Sequence, residues 1–176
     1  MPFQKMTIDD SPVIAPYFRF VTTNTCDFTV GGMFMWRDYF HMAWQVKDGV
    51  LYSTLTGEDG NLYYNLPLGE DIPAGLRQCL TRHPERPVRF CTIPEAELPL
   101  FRALPGRVEI TEEENFADYL YSAEEMIRLS GKKFSGQRNH ISRFLRTCQS
   151  WSVEPLDNTD AAEVETFFHT LNKKLN

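Results

Sequence analysis

Between Ala43 and Leu66 the chain lays down three short runs rich in β-formers, with turn residues between them. Ala43 to Val46, then Asp48-Gly49, then Val50 to Leu55 reads as a β-hairpin, because Asp-Gly supplies the two positive-φ positions of a type I′ turn. Glu58-Asp59-Gly60 is a second turn, and Leu62 to Leu66 follows as a third strand. Sequential strands joined this tightly must pair antiparallel, so they form the centre of a sheet. Around that centre the signals alternate. Asp10-Ser11-Pro12 opens a helix with Ile14, Tyr17 and Phe18 at helical spacing. An apolar segment from Phe28 to Phe40 places Met33, Trp36, Tyr39 and Phe40 on one face, although Gly31-Gly32 weakens it as a single regular helix. Pro73 starts a helix carrying Leu76, Cys79 and Leu80, Val88 to Ile93 is a strand, and Pro94 opens a helix with Leu98 and Phe101. Val108 to Ile110 is strand-like. Helices and strands that alternate in this way predict a mixed α/β fold and exclude all-α and all-β architectures.

Composition agrees with a packed core. Hydrophobic residues make up 42% and aromatic residues 13% of the 176, which is too many for general disorder. A net charge of −6 argues against nucleic-acid or membrane attraction over the whole surface, while leaving room for a local basic patch. Met1 to Asp10 lacks the basic-then-apolar order of a secretory signal, and apolar runs such as Gly31 to Trp36 are too short to span a bilayer. The expected location is cytoplasmic, with no integral membrane segment. Cys26, Cys79, Cys91 and Cys148 are scattered, and they read as reduced, mostly buried small hydrophobes. His41, His83, His140 and His169 are equally dispersed. No metal site and no cofactor are expected.

The last third changes character. Glu109 to Glu125 holds seven acidic residues, whereas Met126 to Val153 holds none and includes Arg128, Lys132, Lys133, Arg138, Arg143 and Arg146. Ser122-Ala-Glu-Glu125 is a capping box that starts a helix running to about Leu129, ended by Gly131. A further helix begins near Gln137 and aligns Ile141, Phe144, Leu145 and Cys148. Trp151 to Pro155 reads as a short strand. Asn158 or Thr159 then caps a final helix striped by Val164, Phe167, Phe168, Leu171 and Leu175.

Two constellations carry candidate chemistry. Gly131 to Gly136 has phosphate-loop spacing, but Gln137 stands where the phosphate lysine belongs and Arg138 where a hydroxyl belongs, so nucleotide hydrolysis is not expected. The basic loop nevertheless joins backbone N–H groups, a helix dipole and the charges of Lys132, Lys133, Arg138 and Arg143, which together suit an anion. The same residues equally suit the solvated face of an amphipathic helix, paired with the preceding acidic block. Asp118 and Tyr121, with Tyr119 between, could orient a polar ligand, although such phenols more often bury their rings. The stripe Phe28, Phe34, Trp36, Tyr39 and Phe40 reads as core rather than a base-stacking platform. Neither G-x-S-x-G nor the acyl-CoA loop of N-acetyltransferases is present, so the chain alone is not expected to bind acetyl-CoA.

Asp118-Tyr119-Leu120-Tyr121-Ser122, Leu129 to Phe134, and Gln137-Arg138-Asn139-His140-Ile141-Ser142-Arg143-Phe144 together resemble a stretch of the phosphatidylglycerol lysyltransferase carboxy-terminal-domain family. Met35-Trp36-Arg37 within Phe28 to Tyr39, and the opening Phe3, Thr7 and Asp9-Asp10, resemble its earlier segments. The resemblance implies tandem domains of the GNAT fold: a largely antiparallel mixed sheet flanked by helices over residues 1–117, then a linker and the helical start of a second such domain over 118–176. It also implies an acyl- or aminoacyl-transferase-like protein, not catalytic as this chain alone, whose partner is a phosphate-bearing donor of tRNA or CoA type. The alternative is a non-catalytic GNAT-like binding or interaction module. Two departures from the family pattern are Gly31-Gly32, in place of a polar residue, and Gln137, in place of a lysine. The family's catalytic elements are expected beyond Asn176, so none is carried over. The uncovered stripe of the final helix implies self-association through it or fraying of it.

Overall fold

The computed structural model describes residues 2–23 and 25–175, with the side chains of Asn115, Asn158 and residues 172–175 outside the described set. It divides into two compact units, Met1–Tyr119 and Leu120–Asn176.

The first unit is built on a five-stranded sheet in the order β1 (Gln4–Lys5), β2 (Ala43–Lys47), β3 (Val50–Thr56), β4 (Leu62–Tyr64), β5 (Arg89–Phe90). The first three pairings are antiparallel, and β5 joins β4 in parallel. The hairpin forms as the sequence predicts, with Asp48 at φ 52° and Gly49 at φ 74° making the turn and Val46 opposite Leu51. As the central strand, β3 is covered on both faces, which is why Val50, Leu51, Tyr52, Ser53 and Thr54 are all buried rather than alternating. One face carries the main core, where Met6, Ile14, Met33, Phe34, Leu51 and Leu76 meet. The other carries a smaller cluster of Val50, Tyr52, Tyr64 and Cys79.

Helix α1 (Ser11–Ile14) opens with Pro12 as expected, but Pro16 removes a backbone donor and the chain tightens into a 3₁₀ turn over Ala15–Phe20. Helix α2 (Val30–Trp36) ends four residues short of the predicted Phe40. Trp36 and Tyr39 therefore stand 48% and 60% exposed instead of joining the core, and the Tyr39 hydroxyl donates to Glu58. The glycine pair sits inside α2 rather than breaking it: a Cβ on Gly32 would lie 2.0 Å from the Cys26 carbonyl oxygen. Helix α3 (Ile72–Thr81) is capped by Asp71, which accepts from the Ala74 N–H at 2.8 Å. Helix α4 (Leu98–Arg102) buries Phe101. Val108 to Ile110 forms no strand, and both Val108 and Ile110 are exposed.

The second unit is helical: α5 (Ala123–Arg128), α6 (Ser135–Thr147) and α7 (Ala161–Leu175). Trp151 to Pro155 is irregular, with no strand beside it among the described residues. Instead the Trp151 ring meets Phe144 edge-on at 5.8 Å. Asp157, not Asn158 or Thr159, caps the turn that leads into α7, accepting from the Thr159 N–H at 2.7 Å. Phe134 is buried, whereas Phe144, Leu145, Phe167 and Phe168 remain 44–61% exposed.

Candidate functional site

The basic segment of the second unit is assembled by two helix ends. Ser122 caps α5, and the helix stops where Leu129, not Gly131, takes the left-handed conformation at φ 47°. Gly131, at φ 85°, then directs Lys132–Phe134 into a 3₁₀ turn that feeds α6 two residues earlier than the sequence suggests. This places Lys132 and Lys133 against the first turn of a 13-residue helix that lacks a side-chain cap.

The four candidate cations do not act as one group. Lys133 pairs with Glu125 at 2.7 Å and lies over the Phe134 ring at 5.0 Å. Arg138 turns back and donates to the carbonyl oxygens of Leu129 and Gly131, so its guanidinium closes the end of α5. Arg143, five residues on, projects about 140° around the helix from Arg138. Arg143 and Arg146, three apart, share a face instead. Among the described residues, the acidic block neutralises Arg128 through Glu124 and Lys133 through Glu125, while no ion pair involves Lys132, Arg143 or Arg146. Pairing with the acidic block therefore accounts for only part of the charge.

Asp118 belongs to the first unit and Tyr121 to the second. The Asp118 carboxylate is already engaged. It accepts from the Cys26 backbone N–H at 2.7 Å and from the Cys26 thiol at 3.0 Å. Those bonds, the thiol's first, hold its carboxyl below the usual range, and the same carboxylate pushes the Cys26 thiol up. Next door, burial and then the charge of Asp118 raise the Asp27 carboxyl. Tyr121 is 59% exposed.

Sequence reasoning passed over a second polar group in the first unit. Buried Asn65 donates to the Ser53 hydroxyl at 3.0 Å and accepts from the Thr92 hydroxyl at 3.1 Å and the Cys91 thiol at 3.5 Å. Thr92 follows β5 at φ 52°, a conformation that costs a β-branched residue energy and that the surrounding bonds maintain. Burial pushes the Cys79 and Cys91 thiols up to about 12, so neither is a ready nucleophile. No short motif marks this group, because its members come from β3 and from the segments that follow β4 and β5. Among the described residues, no cluster of His, Cys, Asp and Glu could hold a metal ion.

The fold and these sites define a mixed α/β protein with a five-stranded, mostly antiparallel sheet and a basic helical segment. No helix among the described residues is long and apolar enough to cross a membrane. Residues 18–169 match the family described as phosphatidylglycerol lysyltransferase, C-terminal, and the chain belongs to that family. A solved structure of a conserved protein of unknown function from Bacteroides thetaiotaomicron is similar at 27% identity and a TM-score of 0.68. The match covers 98% of this chain and 60% of that one, so this chain spans less than two thirds of its structural relative. No curated protein matches the chain.

Proposed function

We propose that this chain is the donor-contacting part of an acyl- or aminoacyl-transferase-like protein acting in the cytoplasm, with a first GNAT-like domain over residues 1–117 and a linker and the beginning of a second over 118–176. The observation that carries the reading is membership of a lysyltransferase-related family across residues 18–169. In such a transfer the acceptor's amine or hydroxyl attacks the activated acyl carbon, and the donor's hydroxyl or thiol leaves with the proton. Holding donor and acceptor together supplies much of the rate. Lys132 and Lys133 beside the α6 N-terminus, with Arg143 on a neighbouring face, would meet the donor's phosphates, tRNA being the richest source of them. Asp118 acts within the first unit, where it fixes the Cys26 turn.

The second reading is a non-catalytic GNAT-like module. It is favoured by Lys133 and Arg138 being engaged within the chain, with Glu125 and with the carbonyls that end α5, which leaves fewer cations for a donor. Incubation with labelled aminoacyl-tRNA and amine acceptors separates the two. The transferase reading expects tRNA retention that Lys132→Ala/Lys133→Ala weakens, with transfer appearing only alongside the remaining catalytic elements. Retention without transfer supports the module, and no retention removes the transferase reading.

A further inference from the structure

The first unit holds a small cavity of about 30 Å³ between β4, β5 and the segment that joins α3 to β5. That space is about one water molecule's share of the liquid, so it takes a single small group and not a length of chain. We propose that it is an anion site, which receives the carboxylate or phosphate group of a small ligand whose remainder stays outside.

The hydrogen bonds along its wall leave one acceptor missing. Arg86 donates to His83 Nδ1 from Nε at 3.3 Å, with Nη2 3.1 Å from the same nitrogen. A guanidinium only donates, so Nδ1 is the bare nitrogen of the ring and Nε2 carries the hydrogen. Burial, and then the charges of Arg86 and Arg82, hold the imidazole below its usual range, in keeping with a neutral ring. Nε2 therefore donates to the Tyr64 hydroxyl oxygen at 3.1 Å, and the Arg82 guanidinium acts on the same hydroxyl. Tyr64 is 3% exposed and lines the cavity, yet among the described residues nothing accepts its hydroxyl hydrogen. A buried donor without an acceptor is costly, and an oxygen placed in the cavity removes that cost.

The charges around the space set the sign of its occupant. Arg86 and Arg89 line it, and Arg82 adds a third guanidinium, held to Gln45 Oε1 at 2.9 Å. Among the described residues no ion pair involves any of the three, in a chain whose net charge is −6. Two carboxylates act on the group from a distance. Asp59, which Arg89 influences, is spent on Asn61 and Tyr63, and Glu85 acts on His83 without a hydrogen bond. A cation would face three arginines. A neutral acceptor would take the Tyr64 hydrogen but leave the arginine charge unanswered, whereas a carboxylate or phosphate meets both, with the charge-assisted bonds that arginine favours.

The site stands apart from the transferase reading, whose Lys132 and Lys133 lie in the other unit, so each can fail without the other. Full-length ¹⁵N-labelled protein is titrated at constant ionic strength with inorganic phosphate, with acetate, and with acetamide, the uncharged isostere of acetate. At least one anion should saturate with a dissociation constant below about 10 mM, shifting the His83 Hε1 resonance and the amides of Leu62, Val88 and Arg89. Which anion does so tells phosphate from carboxylate as the group recognised. Acetamide should bind about tenfold more weakly or worse. Arg86→Gln/Arg89→Gln, at two exposed positions, should weaken the anion about tenfold with the melting curve unchanged. Tyr64→Phe keeps the ring, removes the hydroxyl, and should weaken it several-fold. Equal binding of acetamide, either variant binding as the parent does, shifts confined to residues 131–143, or no saturation by either anion would each overturn it.

Discussion

Gly31 and Gly32 are adjacent in α2, yet alanine should have opposite effects at the two positions. A Cβ on Gly31 meets nothing within 4 Å, so Gly31→Ala only restricts the unfolded chain and favours the helix. It should stabilise by about 0.5–1 kcal/mol. At Gly32 the added carbon would lie 2.0 Å from the Cys26 carbonyl oxygen, a full 1 Å inside the 3.0 Å limit that real Cβ atoms respect. Backbone blocks that approach, so relief requires moving the turn. Four bonds move with it: Gly32 N–H to Thr29 Oγ1 at 3.0 Å, Thr29 Oγ1 to the Cys26 carbonyl at 2.7 Å, and the two from Cys26 to Asp118. Overpacking costs about 1–3 kcal/mol and a lost N-cap about 1 kcal/mol, so Gly32→Ala should destabilise by about 2–4 kcal/mol. Urea titration followed by near-ultraviolet circular dichroism gives both values. If Gly32→Ala lies within about 0.5 kcal/mol of the parent, the close approach is not a constraint and the reasoning fails.

The raised carboxyl of Asp27 makes its ionisation a cost to the folded state. Stability is therefore lost as pH rises from the ordinary 3.8 through the folded value, and Asp27→Asn should melt higher than the parent at pH 7. That advantage should vanish below the ordinary value, and a constant offset across pH would contradict it. Asp118 acts in the opposite sense: its lowered carboxyl supports folding above the ordinary value and loses that support as pH falls through the folded one. Removing Arg138 with alanine should speed hydrogen exchange at residues 126–129 by loosening the end of α5, whereas Arg143→Ala should leave it unchanged. Equal effects would mean Arg138 has no capping role. If α7 pairs copies of the chain, as its exposed Phe167 and Phe168 invite, Phe167→Ser/Phe168→Ser should lower the mass seen by light scattering at high concentration. A parent that is monomeric throughout would remove that idea.

The hairpin and the helix starts were legible because local chemistry decides them: Asp48-Gly49 fits one turn type, and Ser122 and Pro73 suit helix entrances. Strand extent was less so. The predicted Val88 to Ile93 shrinks to Arg89–Phe90, since only those residues face Tyr63 and Tyr64. Gln4–Lys5 becomes a strand only because Ala43 and Trp44 lie opposite. At the candidate site, Lys132 and Lys133 fell where expected, but the direction of Arg138 depends on two carbonyls left open by a neighbouring helix. The Cys26–Asp118 bond joins residues 92 apart, and no periodicity could reveal it.

The claim that the basic segment meets a phosphate-bearing donor has one direct test, the salt dependence of tRNA affinity. Fluorescence anisotropy with labelled tRNA should show binding that weakens as salt rises, since each neutralised phosphate adds about 0.7–0.9 to the slope of log affinity against log salt. Lys132→Ala/Lys133→Ala/Arg143→Ala should lower that slope by about two. Affinity that ignores both salt and the substitutions, or no binding at all, would contradict the account.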